Sequence, residues 1–349
     1  MCGPLRWAAR VSDNLLDLHH LPLADILDTI RQLGWGGAFE LLRNGIVLGS
    51  LYALIALGYT MIYGILKLLN FAHGEIYMVG AFLGYGVLSI LGGPLAPAIA
   101  TVPLILLMFA GGMLGAGVLG VVVERFAYRP LRNAPRIAPL ITALGVSFFL
   151  ANSVLLLTHG QRYNYAAYQL GGNPDNGLPG PLVDSAFSVL GRPVTVVQVL
   201  VVSSAIFLMV ALTLIVSRTK LGKAMRATAF DREAANMMGI DTDRVIAFTF
   251  LIASVLAGAA GVMFGLYIGE TYYLMGFLAG LKAFTAAVVG GIGSIPGAMV
   301  GGLLIGVTES FAAGYVGGQW SDIVVFAVLI AFMVFRPTGL FGTRAIQKV

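Results

Sequence analysis

The chain has 349 residues, 58% of them hydrophobic and only 11% charged, with 46 glycines and a mean hydropathy of +0.90; this excludes a soluble globular domain and indicates an integral membrane protein. The net charge of +5 does not imply nucleic acid as a partner, because the basic residues cluster in loops between apolar runs, as cytoplasmic loops do. The one cysteine, Cys2, permits no internal disulfide.

In chain order, residues 1–43 read as an N-terminal extension. They lack an uninterrupted apolar region with a small-residue cleavage site, so the first span itself is expected to direct insertion. Leu23, Ile26, Leu27, Ile30 and Leu33 form a helical stripe opposed by Asp25, Asp28 and Arg31, the pattern of a helix lying on the membrane surface. An unremarkable tail is the alternative.

A spanning helix needs about 20 largely apolar residues. Gly45 to Leu66 supplies the first, and the uncharged stretch Ile76 to Val123 supplies two, with the turn expected at LGGPLAP, residues 91–97. Ile137 to Leu157, Val194 to Val216 and Val245 to Gly269 follow. Thr271 to Thr308 is broken by GGIGSIPG, residues 290–297, into two shorter helices, and the last run, Ile323 to Phe335, begins as early as Trp320. Three basic clusters place their loops in the cytoplasm: Arg125 to Arg136, Arg218 to Arg244, and the tail with Arg336, Arg344 and Lys348. Thr158 to Pro193, rich in Gly, Pro and Asn, reads as the main external loop. The expected fold is all-α, a polytopic transmembrane helical bundle of about 8 to 10 spans with glycine-broken helices and a short cytoplasmic helix. Nine helices with the N-terminus outside satisfy the parity, unless Lys67 to Glu75 is a re-entrant break instead of a cytoplasmic turn.

Catalytic chemistry has little to stand on. SRTKLGKA lacks the first glycine and the terminal Ser/Thr of a phosphate-cradling GxxxxGK[ST] loop, the four histidines lack metal-ligand spacing, and no Gly-x-Ser-x-Gly elbow is present. Polar groups at membrane depth remain as functional candidates. NFAHGE places Asn70, His73 and Glu75 between apolar runs, with Gly74 relaxing the backbone; it is either a broken helix beside a transport pathway or a capped interfacial turn. Lys282 either snorkels to the interface, faces an aqueous pathway, or pairs with an acid such as Glu270 or Glu309, and Thr285 lies one turn away. Gly290, Gly291 and Gly293 in the adjoining break are pathway candidates too, although close helix packing is the simpler reason for such glycines, since small residues let helix backbones approach. Glu75, Glu124, Glu270 and Glu309 are all expected at or near helix ends. The two halves of the chain share only an echo of Gly-rich spans around a polar break, too weak to define a repeat.

The segment AMRATAFDREAANMMGIDTDRV, residues 224–245, is charged and Ala-rich between apolar neighbours. Asp231 is expected to cap a helix through Arg232 to Met238 of about two turns, with Glu233 in its first turn, Gly239 terminating it, and Asp241 or Thr242 capping the next span. Met237 and Met238 suit an adaptable protein contact.

Glu233, Ala234, Ala235 and Gly239 resemble the EAA...G loop of bacterial ABC-importer membrane subunits, although the later Ile-x-Leu-Pro ending of that loop is missing. NGIVLGSLYALIALGYTMIYGI, NFAHGEIYMVGA, ERFAYRPLR, GIDTDRVIAFTF and LKAFTAAVVGGIGSIPGAMVGG are similar to the LivH-type permeases of branched-chain amino acid uptake, in order from about Asn44 to Gly342. The resemblance implies a permease domain over 44–342, a cytoplasmic tail over 343–349, and a multi-pass protein of the bacterial inner membrane. It implies a second homologous permease, two ATPase subunits and an external binding protein as partners. ATP and Mg would be bound by the ATPases, leaving this chain without a cofactor or catalytic role of its own. The segment Asp231 to Gly239 would then be the ATPase-coupling helix. The implied cargo is leucine, isoleucine or valine, with urea or short amides as the alternative and a secondary transporter as the rival class. Residues 1–43 depart from the family pattern.

Overall fold

The structure is a computed structural model, and it describes residues 23–92, 101–132, 134–135, 137–165, 185–189 and 192–342. Eleven helices account for most of it: α1 (Leu23–Leu66), α2 (His73–Gly92), α3 (Thr101–Val123), α4 (Ile137–Thr158), α5 (Val196–Arg218), α6 (Lys220–Phe230), α7 (Arg232–Met237), α8 (Thr242–Ile268), α9 (Met275–Gly290), α10 (Ile295–Tyr315) and α11 (Ser321–Phe335). Eight of the helical segments are long and apolar enough to cross a membrane, and the sixteen-residue α9 is a ninth apolar helix of about 24 Å. The protein is a multi-pass, all-α helical bundle.

Local chemistry sets the helix ends. Thr195 and Gln198 form a reciprocal capping box at α5, which therefore begins at Val196, two residues later than the hydropathy suggested, with Val194 in a strand. Ser294 caps α10, whose N-terminus also carries Pro296, and Gly269 ends α8 in the left-handed region at φ +86°. The first span departs most from expectation. Residues 23–33 do not stop before Gly45 but run without interruption into a 44-residue α1, which extends about 66 Å, roughly twice the hydrocarbon thickness. α10 likewise continues past Thr308 to Tyr315, so Glu309 lies well inside a helix and not at its end. The expected turn at 91–97 falls mostly outside the described residues.

Two helices form the centre. α1 packs along α10, and α8 packs against α1, α2 and α3, while α4, α5 and α11 lie at the periphery with broad exposed apolar faces. Backbones approach closely at both central seams. A Cβ on Gly306 would overlap the backbone of Gly49, and one on Gly258 would overlap Gly112.

Two small antiparallel ribbons lie at the end of the bundle away from the basic loops. β1 (Tyr163–Asn164) pairs with β4 (Glu270–Thr271), and β2 (Ser185–Val189) pairs with β3 (Arg192–Thr195). The first ties the segment after α4 to the entry of α9, reinforced by Arg162 on Glu270 at 2.8 Å and by the Tyr165 hydroxyl donating to the Ala81 carbonyl at 2.5 Å.

Candidate functional site

Two regions bring the sequence candidates together. The first is the α6–α7–α8 unit at the basic end. Thr219 caps α6, and Asp231 both ends α6 and caps α7, its Oδ1 accepting from the Ala234 amide at 3.0 Å. Glu233 occupies the first turn, favourable to the helix dipole. The helix ends at Met237, with Met238 as its C-cap, and Gly239 turns the chain away at φ +83°, where a side chain would be strained. Thr242 donates to the Asn236 side chain at 2.9 Å, and Asp241 caps α8 by accepting from the Arg244 amide at 3.1 Å. The caps fall where the sequence placed them.

Asp243 anchors this unit to the bundle. Its carboxylate takes Arg129 at 2.6 Å, Arg232 at 3.4 Å, and Arg132. Arg132 also grips the buried Glu124 in the π-helical turn Glu124–Tyr128 that continues α3. Burial pulls the Arg132 guanidinium below its ordinary pKa, against the opposing pull of Glu124 and Asp243. Of α7 itself, Ala235 is buried, whereas Met237 and Met238 are each 82% exposed and Phe230, one residue before the cap, is 95% exposed. A rigid two-turn knob thus presents apolar, adaptable side chains beside a charged clamp, the composition of a protein contact.

The second region is the elbow between α1 and α2. Asn70, His73 and Glu75 are all at most 2% exposed. The chain leaves α1 through Lys67 at φ +55°, and α2 starts at His73 already inside the bundle. Asn70 Oδ1 accepts from the Tyr128 hydroxyl at 2.9 Å, and the His73 ring packs edge-on to Tyr59, centroids 5.0 Å apart. Glu75 Oε1 accepts from the Ser147 hydroxyl at 3.1 Å. Gly74 lies directly against Gly276 and Gly280 of α9. Tyr59, Tyr128 and Ser147 were not among the sequence candidates.

Lys282, also buried, pairs with Glu309 at 2.7 Å and with Asp322 at 2.6 Å, joining α9, α10 and α11. Glu270, the other expected acid, pairs with Arg162 instead. Thr285 is fully buried and bonds back to Leu281 in its own helix. Gly290 packs on the backbone of Gly297, and Gly291, at φ +103°, packs on Gly342. Gly293, at φ +97°, faces open space. The amides of Leu340 and Phe341 donate to the Val289 and Gly290 carbonyls, so the end of the described chain seals this break. Among the described residues no three His, Cys, Asp or Glu side chains gather where they could hold a metal ion.

The family model for the permease component of branched-chain amino acid transport systems matches residues 41–333. The high-affinity branched-chain amino acid transport system permease protein BraD of Pseudomonas aeruginosa is 44% identical over 309 residues, covering 88% of this chain and 97% of that protein. The permease protein LivH of Escherichia coli K12 is 42% identical over 311 residues, covering 88% and 96%. The autoinducer 2 import system permease protein LsrC of Yersinia enterocolitica is 28% identical over 207 residues, 57% of this chain and 53% of that protein. No solved structure matches the chain significantly.

Proposed function

The chain belongs to the branched-chain amino acid transport permease family, and from that premise we propose that it is the membrane-spanning subunit of an ATP-driven importer of leucine, isoleucine and valine. It works in the bacterial inner membrane with a second homologous permease, two ATPase subunits that bind ATP and Mg, and an external binding protein that delivers the amino acid.

The observation that carries this reading is α7. A six-residue helix is too short to be stable alone, yet it is capped at Asp231, released by Gly239, clamped through Asp243 and left with Met237 and Met238 exposed. That construction suits a lever that receives force from a cytoplasmic ATPase. Closure of the ATPases around ATP would push α7, and Asp243 would pass the displacement to α3 and α8. The irregular stretches at 67–72 and 291–294 supply the places where α2 and α9 can tilt against α1 and α10, giving alternating access.

The test is co-purification of the chain with ATPase and binding-protein subunits from its host, followed by uptake of leucine, isoleucine, valine and urea in cells with and without a functional ATPase. The expected result is ATPase-dependent uptake of the three amino acids. ATPase-dependent uptake of urea alone would replace the cargo, and uptake that persists without the ATPase but collapses with an uncoupler would replace the mechanism.

A further inference from the structure

Glu75 stands in the first turn of α2, a position that would ordinarily lie at a membrane surface. It bonds, however, to Ser147, which lies ten residues beyond Ile137 in the 22-residue α4 and so about 15 Å along that span. α2 therefore begins near mid-membrane, and the positive end of its dipole is buried there. Two buried side-chain polar atoms within residues 70–75, Asn70 Nδ2 and Glu75 Oε2, meet no hydrogen-bond partner among the described residues, while the His73 ring lies against the Ile55 backbone. Each such atom costs about 1–3 kcal/mol when nothing meets it. Their concentration in one elbow indicates that something else does.

The geometry around Glu75 says what. A cavity of about 30 Å³ lies between α1, the stretch at 67–72, α4 and α9, with Tyr59, Phe71, Ser147, Phe148, Gly276 and Phe277 in its wall. The Glu75 carboxyl is buried behind that wall and touches two of its members: Oε1 takes the Ser147 hydroxyl, and Oε2 lies so near Gly276 that a Cβ there would fall 2.5 Å away. No Lys or Arg pairs with this carboxyl among the described residues. An acidic group without a counter-charge, walled by aromatic faces, is chemically complementary to an ammonium, held by the carboxylate and by cation–π contact. The surrounding Phe and Leu side chains suit an aliphatic group attached to it.

We propose that Glu75 is the mid-membrane transit site for the ammonium group of a zwitterionic aliphatic amino acid; this rests on the importer reading above. As it stands the cavity holds about one water, so cargo enters only when α9 moves off α2. The contact that must part includes Gly74 against Gly276 and Gly280, backbone on backbone, with Glu75, Met78 and Tyr59 beside it. The cavity opens sideways between the exposed Phe148 and Phe277, a mouth that lipid would fill unless the second permease subunit closes it.

The experiment replaces the only cysteine, Cys2→Ser, and adds Ser147→Cys in the intact transporter of native-host membrane vesicles, so that thiol modification of this chain reports access to the cavity. A cationic methanethiosulfonate is expected to react at least tenfold faster than an anionic one in one nucleotide state, and saturating leucine to slow it at least fivefold. Glu75→Gln on this background should abolish the preference for the cation. With Ser147 intact, Glu75→Gln should lower leucine uptake at least tenfold and Glu75→Asp should restore part of it. No modification by either charged reagent in any nucleotide state, or a cation preference that survives Glu75→Gln, would overturn the proposal. If leucine neither protects nor is taken up while the Glu75-dependent cation preference stands, the choice of cargo fails, and with it the amino-acid assignment of this site.

Discussion

The Lys282 ammonium lies 2.7 Å from Glu309 Oε1, across the contact between α9 and α10, and both side chains are about nine-tenths buried. Asp322, on α11 and 43% exposed, completes the group at 2.6 Å from the same nitrogen. One cation thus holds three helices together.

Lys282→Met leaves Glu309 buried without its counter-charge and should destabilise the detergent-solubilised protein by about 3 kcal/mol. Pairing it with Glu309→Gln should recover more than half of that loss in a denaturation series. If the double variant is no more stable than Lys282→Met, the ion pair is not what α9 and α10 depend on.

At the α1–α10 seam, Gly306→Val forces a branched side chain into the backbone of Gly49. A backbone cannot move aside as a side chain tip can, so the cost should be at least about 3 kcal/mol, the upper end for overpacking. Low membrane yield and a lowered Tm are the expected outcomes, with Gly64→Val, whose side chain would enter open space, as the tolerated control.

Asp243→Asn should separate coupling from folding. The carboxylate is partly exposed and its loss should cost no more than about 1 kcal/mol of stability, yet it frees Arg232 and with it α7. Uptake is expected to fall several-fold while membrane abundance stays near wild type. Arg132→Ala, which strands the buried Glu124, should instead lower abundance itself, at about 3 kcal/mol.

Gly239→Pro sets a proline, whose φ is near −65°, where the chain needs +83°. Glu233→Arg reverses the charge in the first turn of α7. Both should uncouple ATP hydrolysis from transport with membrane insertion intact. Asp231→Ala removes the α7 cap and should act in the same direction more weakly, at about 1 kcal/mol. Normal transport by the Gly239 and Glu233 variants would remove α7 from the mechanism.

The spans were legible because hydropathy is a local property, and the caps around α7 because an Asp followed by a helix former and a later Gly act within a few residues. α1 was misjudged at its start, since Asp25, Asp28 and Arg31 look like a boundary to a hydropathy reading although a helix can carry charge beyond the membrane. Ser147 could not be singled out. Ser153 and Thr158 in the same helix bond back to their own turns, whereas Ser147 reaches across to Glu75, and nothing in the sequence distinguishes these uses. Pairing with an acid was one of three readings of Lys282, with Glu270 and Glu309 equally eligible, and the fold selects Glu309. Asp322 was not foreseen, because only the fold brings α11 against α9.

The pairing of Leu340 and Phe341 with Val289 and Gly290 bears on biogenesis. The carbonyls at the end of α9 have to wait through the synthesis of about fifty further residues before those amides arrive, so this joint closes only after α10 and α11 have been made. A stop codon just before Leu340 would spare every helix among the described residues and still release a chain whose joint never closes, a defect for membrane quality control to recognise that a count of spans would miss.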